Sequence, residues 1–190
     1  MTLHLDLLRH GETECGGGFR GSLDDALTAR GWEQMQAAVA DGGPWDVLVS
    51  SPLQRCAHFA RRFGEQRQLS LQLEPGLQEL HFGEWEGRSA ADLMLTHEQQ
   101  LGQFWADPYA YTPPGGEPVS DFATRVLDAI AALHRQHAGK HVLLVTHGGV
   151  MRLLLARARG LPREQLLQVE VGHGALCRLE VRADGTLRER

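Results

Sequence analysis

Three short apolar runs without clean alternation, Leu3 to Leu8, Asp46 to Ser50 and Val142 to Thr146, stand between long stretches of helical periodicity. Such runs belong to strands covered on both faces, so the pattern predicts a parallel sheet with helices packed on each side. Between the first two runs, Thr28 to Asp41 reads as a helix capped by Thr28 and closed by Gly42-Gly43. Ser51-Pro52-Leu53-Gln54 has the form of a capping box with proline at the first helical position, opening a helix that runs to about Phe63. A short strand is expected at Leu71 to Leu73. From Gly76 to Pro118 the composition shifts to Gly, Pro and the aromatics Phe82, Trp85, Phe104, Trp105, Tyr109 and Tyr111, with short helical pieces near Ala90 to His97 and Glu98 to Trp105. This stretch is too short to hold its own core, so it reads as an excursion on one side of the sheet.

Val119 to His137 is an amphipathic helix, with Phe122, Val126, Ile130 and Leu133 at helical spacing. Gly149 to Gly160 is another helix, and Ala175 to Val181 alternates as a final, edge-like strand ending at the Asp184-Gly185 turn. The expected fold class is α/β: a three-layer α/β/α sandwich with a mostly parallel central sheet and an antiparallel edge strand. Residues 1–190 are expected to form one domain, with 76–118 lying over its active site.

Composition narrows the chemistry. With 190 residues, 42% hydrophobic and 23% charged, the chain has the make-up of an ordinary globular protein, large enough to fold without disulfides or a structural metal. Its net charge of -5 argues against a general nucleic-acid or anionic-membrane binder. No apolar run reaches the roughly 18 residues of a membrane span, and the N-terminus lacks the basic and apolar regions of a signal peptide. Cys15, Cys56 and Cys177 are widely separated and odd in number, which points to a reducing cytoplasm. Among 19 basic residues Lys140 is the only lysine, so there is no phosphate-loop lysine and arginine is the available anion reader.

The candidate chemistry lies at strand ends. Leu7-Leu8-Arg9-His10-Gly11-Glu12-Thr13 and Leu144-Val145-Thr146-His147-Gly148-Gly149 each carry a buried strand into a histidine followed by glycine. In open α/β sheets ligands bind outside the carboxyl ends of the strands, so both imidazoles are expected to face one crevice. Gly11 and Gly148 let main-chain N–H groups approach an anion there. Arg9 adds a cation that a core strand tolerates only with an anionic partner, and Arg55, in the first turn after the second strand, adds another. The convergence suits a phosphoryl group. Glu79, Glu84 and Glu86 share an apolar and aromatic setting in which a carboxyl group can be tuned to give up a proton, and composition alone does not choose among them. His134, His137 and His141 fall three and four apart, but Gly139 interrupts the helix and no metal-site pattern accompanies them, so no metal is expected. Of the other histidines, only His173, between Gly172 and Gly174, is placed to touch a ligand.

Arg9-His10-Gly11-Glu12-Thr13, Ser51-Pro52-Leu53-Gln54-Arg55, Glu79 before Phe82-Gly83-Glu84-Trp85-Glu86-Gly87, and Thr146-His147-Gly148-Gly149 occur in an order that resembles the histidine phosphatase superfamily, also called phosphoglycerate-mutase-like. The resemblance runs from Leu3 to about Leu179. Within it, the stretch from Gly16 to Thr28 is similar to the bacterial α-ribazole phosphatase branch of cobalamin synthesis. Where many members carry an asparagine after the first block, this chain has Gly16-Gly17-Gly18. The resemblance implies hydrolysis of a small phosphomonoester through a phosphohistidine on His10. Arg9, Arg55 and His147 would hold the phosphoryl oxygens, and Glu79 would be the proton donor. Arg20, Gly21 and Ser22 would contact substrate beside Gly11 and Gly148. It implies no cofactor, metal, nucleic acid or membrane partner, and is compatible with a homodimer.

Overall fold

A computed structural model describes residues 1–190. Six strands form one sheet: β1 (Leu3–Arg9), β2 (Val47–Ser50), β3 (Leu71–Leu73), β4 (His141–Thr146), β5 (Leu176–Val181) and β6 (Leu187–Glu189). Their order is β3-β2-β4-β1-β5-β6. β1 to β4 are parallel, β5 runs antiparallel to β1, and β6 pairs antiparallel with β5. The expected edge strand is therefore an inner one. After the Asp184-Gly185 turn the chain adds β6 as the true edge, a strand of three residues with a single apolar side chain, Leu187, and hence no periodic signal.

The five helices are α1 (Ala29–Ala38), α2 (Gln54–Arg67), α3 (Ala90–Ala106), α4 (Val119–His137) and α5 (Gly148–Ala158). Strand positions alternate between two buried clusters, which is why the strands show no polar face. Leu3, Leu5, Leu7, Val49, Val142 and Leu144 pack with α4 and α5 on one side. Leu8, Leu48, Leu143 and Val145 pack with Met35 of α1 and Phe59 and Phe63 of α2 on the other. On this second side, buried Asp6 accepts a 3.0 Å bond from Trp45 Nε1 and lies within 4 Å of Arg178 and Arg190.

Two local expectations are corrected. Thr28 does cap α1, its hydroxyl accepting from Gly31 N. The box predicted at Ser51-Gln54 does not form: α2 starts at Gln54 after Leu53 with no side-chain cap, and Gln54 instead ties its own main chain and amide to Asp24. α2 also runs past Phe63 to Arg67, ending on Gln68 in the left-handed conformation (φ 55°) without a glycine stop. The two helical pieces of the excursion are present as expected: α3 is broken at His97, whose backbone is non-helical (φ -144°, ψ 37°), and its first piece is opened by a Ser89/Asp92 capping box.

Trp85, Leu93, Leu101 and Phe104 belong to the same buried cluster as Leu5 and Leu144, so the excursion shares the core of the sheet. Phe19 packs edge-on against Phe82 and Trp85, with ring centroids 5.1 and 5.5 Å away, and so pins the loop after β1 to the excursion. No helix is long and apolar enough to cross a membrane.

Candidate active site

The carboxyl ends of β1, β2 and β4 meet beneath a cavity of about 690 Å³. Its wall includes Arg9, His10, Glu79, Arg152 and His173, with Phe82, Phe104 and Trp105 of the excursion above and Gly16 to Arg20 on one flank. Arg55 and His147 lie one layer deeper and are fully buried. The His10 and His147 rings are 5.3 Å apart in a T-shaped arrangement. The two strand-end histidines and two arginines predicted from sequence are thus brought together.

The contacts of His10 assign its tautomer. Its Nδ1 lies 2.8 Å from the carbonyl oxygen of Gly11. A carbonyl only accepts, so Nδ1 carries the proton and Nε2 holds the lone pair. Burial, then the cations of Arg55 and Arg9, push the His10 pKa well below that of a free imidazole, although the bond to Gly11 opposes them. His147 is shifted the same way, first by burial and then by Arg55, His10 and Arg9. Its Nε2 lies 2.7 Å from the Ser51 hydroxyl, so the serine read as a helix cap orients the second imidazole.

Neutral buried imidazoles carry a consequence for stability. The unfolded chain takes up protons on these histidines near pH 6.5, whereas the folded chain does so only at much lower pH. Their contribution is therefore complete above about pH 6.5 and is lost as the pH falls below it. Urea unfolding is expected to show a lower midpoint at pH 5.5 than at pH 7.5; equal midpoints would contradict the neutral assignment.

Arg55 is held from three sides. It donates to the carbonyls of Leu23 (2.6 Å) and Gly21 (2.8 Å) and lies 3.5 Å from Asp25. Arg9 donates to the carbonyl of Val171, and the Nε of each arginine is a buried donor without a protein partner.

The three candidate carboxylates separate by their contacts. Glu86 accepts from Ser22 N, Ser22 Oγ, Leu23 N and Phe82 N at 2.7 to 3.1 Å. Burial pushes its pKa up, but these bonds outweigh it and hold the group below the usual carboxylate range. Glu84 is exposed, on the outer side of a 3-10 turn whose Trp85 is buried. Glu79 alone of the three lines the cavity, accepting from Leu80 N and Gly149 N at 2.9 Å each. Gly149 permits this approach, since a Cβ there would fall 2.2 Å from Glu79 Oε1.

The expected substrate contacts divide. Arg20 reaches the cavity wall, but it is tied to Asp25 (3.1 Å) and to the carbonyls of Cys15 and Gly16. Gly21 and Ser22 do not line the cavity: Gly21 carries the carbonyl that holds Arg55, and Ser22 is spent on Glu86. Gly11 and Gly148 are buried, and each makes room for a neighbour. A Cβ at Gly11 would meet Gly31 O at 2.1 Å, and one at Gly148 would meet Arg9 Nε at 3.1 Å.

His134, His137 and His141 do not converge. They contact Met1 O, Gln72 Oε1 and the ring of His4 respectively. Two arginines escaped the sequence reading. Arg152, on α5, lines the cavity and donates to Val169 O at 2.9 Å. Arg125, on α4, clamps the carbonyls of Gly76, Gln78 and Glu79 at 2.8 to 2.9 Å and so fixes the segment that presents Glu79.

Comparison with known proteins agrees with this geometry. The profile of the histidine phosphatase superfamily (branch 1) matches residues 5–189. An adenosylcobalamin/α-ribazole phosphatase of Escherichia coli is 35% identical, over 94% of this chain and 90% of its own. A 2,3-bisphosphoglycerate-dependent phosphoglycerate mutase of Brucella anthropi is 30% identical, over 98% and 96%. The crystal structure of the α-ribazole phosphatase from Shigella flexneri superposes with a TM-score of 0.84 at 34% identity, covering 98% of this chain and 94% of that one. The chain belongs to the histidine phosphatase superfamily, branch 1.

Proposed function

We propose that the chain is a single catalytic domain, with residues 76–118 over its active site, that hydrolyses a phosphomonoester in two displacements on His10. The observation that carries this reading is the Nδ1 bond of His10 to Gly11, which leaves a lone pair on Nε2 in a neutral ring of the cavity wall. In the first step Nε2 attacks phosphorus, the N–P bond forms and the P–O ester bond breaks. The departing alkoxide takes a proton from the Glu79 carboxyl group. In the second step water attacks phosphorus and gives a proton back to Glu79, while the N–P electron pair returns to His10. Dividing the displacement in this way is the benefit of a covalent intermediate.

Arg9, Arg55 and His147 hold the phosphoryl oxygens, as positioning and charge stabilisation supply most of phosphoryl-transfer catalysis. The unpartnered Nε donors of the two arginines support this, since a buried orphan N–H costs about 1–3 kcal/mol and an oxyanion relieves it. Excursion aromatics and Arg152 shape the space for the leaving group.

The α-ribazole phosphatase relatives support α-ribazole 5′-phosphate as the ester, in assembly of the cobalamin nucleotide loop. A phosphomonoester panel read as kcat/KM tests this, because discrimination resides in that ratio. α-Ribazole 5′-phosphate is expected to lead the panel by at least about tenfold, a margin worth roughly 1.4 kcal/mol of transition-state binding. A sugar phosphate in its place would move the assignment to another phosphatase of the superfamily. Efficient interconversion of 3- and 2-phosphoglycerate without phosphate release would move it to a mutase.

A further inference from the structure

A third imidazole faces the candidate phosphoryl site, and the two-step mechanism above does not use it. His173 stands in Gly172-His173-Gly174, the loop that feeds β5 into the sheet beside β1. Its ring centroid lies 5.8 Å from that of His10, and it lines the same cavity as Arg9 and His10. The loop is fixed from two directions. Gly174 N donates to the carbonyl of His10 at 3.4 Å, and a Cβ at Gly174 would meet Gln34 O at 2.9 Å. The main chain that presents His173 is thus tied to the nucleophile itself and to α1. Its two ring nitrogens make no hydrogen bond to protein, unlike those of His10 (to Gly11) and His147 (to Ser51).

We propose that His173 is a further oxyanion-contact residue of this site, an imidazole that takes up a proton when a tetrahedral dianion binds between it and Arg9. The inference rests on the phosphatase reading but not on which ester is the substrate. The charged and titratable groups that face His173 are Arg9, Glu12 and His10. Partial burial and then the Arg9 cation lower the pKa of the ring, with Glu12 opposing them. A bound dianion reverses that balance, because an opposite charge within a few ångströms favours the charged form. Reciprocity then makes anion binding tighter as the pH falls through the pKa of the liganded ring.

Sulfate is the suitable probe, since it is tetrahedral and stays a dianion throughout the pH range of interest. Its inhibition constant against p-nitrophenyl phosphate hydrolysis is measured from pH 5.5 to 7.5 in the full chain and in His173→Asn and His173→Gln. The wild type is expected to lose sulfate affinity by roughly tenfold more than either variant across this range, the limit of one proton taken up per anion being about tenfold per pH unit. Any other group that titrates with the anion contributes to all three slopes, so the difference belongs to His173. Equal slopes in wild type and both variants overturn the proposal while leaving the phosphatase reading intact. Failure of sulfate to compete with substrate at any pH would instead remove the oxyanion assignment of the cavity. Two variants guard against a folding defect in one, and a shallower wild-type slope than either also overturns the proposal.

Discussion

His10→Ala is expected to lower kcat by a factor on the order of 10⁴ to 10⁶ for every ester the wild type hydrolyses, as removing a nucleophile that acts within a unit does elsewhere. The size of the effect follows from the lack of a substitute held as His10 is: His173 lines the same cavity, but no bond like that of His10 Nδ1 to Gly11 fixes its ring. Cys56 is fully buried, and burial pushes its thiol pKa far up, so it supplies no thiolate. His147 is fully buried with its Nε2 engaged by the Ser51 hydroxyl, so that nitrogen is not free to attack phosphorus in place of His10. Cys15 is exposed on the loop outside the strand ends. The substitution leaves Arg9, Arg55 and Glu79 in place, so substrate binding should persist while turnover is lost. Residual kcat within tenfold of wild type, in a variant with unchanged circular dichroism, would refute covalent catalysis by His10.

Glu79→Gln carries the second large effect, and its signature is a dependence on the leaving group. Proton transfer by a positioned side chain contributes about 10²- to 10⁴-fold, so an alkyl phosphate, whose alkoxide must be protonated, should lose that much in kcat/KM. p-Nitrophenyl phosphate releases a stable phenolate and should lose far less in the first displacement. Glutamine is nearly isosteric, and its carbonyl can still accept from Gly149 N, so the tight approach of the two segments is preserved. An equal loss in kcat/KM on both substrates would make Glu79 a positioning residue, acting through its bonds to Leu80 and Gly149. Comparing kcat/KM on glycerol 3-phosphate and p-nitrophenyl phosphate, which leaves out the second step common to both, decides between the two.

Much of this arrangement can be read in the sequence because it follows from local periodicity and from the ends of buried strands. Leu3–Arg9 and His141–Thr146 are apolar on both faces because they are central strands, and Arg9, His10 and His147 stand where such strands run out. What local pattern misses is set by partners distant in the chain. Ser51 looks like a helix cap, yet its hydroxyl is taken by His147, 96 positions away. Glu79, Glu84 and Glu86 are equivalent by composition, and only the return of the Gly21-Ser22-Leu23 loop consumes Glu86. Gly21 and Ser22, in turn, look like substrate contacts until that loop is seen to brace Arg55 and Glu86.

Two missed arginines did leave a signal. Arg152 interrupts the apolar run Val150-Met151 to Leu153-Leu154-Leu155, and Arg125 lies three residues after Phe122, within the apolar stripe of α4. A cation on a face that should be buried needs a partner of its own. For Arg125 the partners are Glu117 and the carbonyls that position Glu79. Arg152 projects into the substrate cavity.

The most direct test of the account is to trap the intermediate. Rapid quenching of the wild-type chain with ³²P-labelled substrate, followed by peptide mapping, should place the label on the peptide that contains His10. That label should survive in base, disappear in acid, and be absent from His10→Ala. An acid-stable label, a label on any other residue, or turnover with no label at all under conditions that trap other phosphohistidines would contradict the central claim that His10 carries the phosphoryl group.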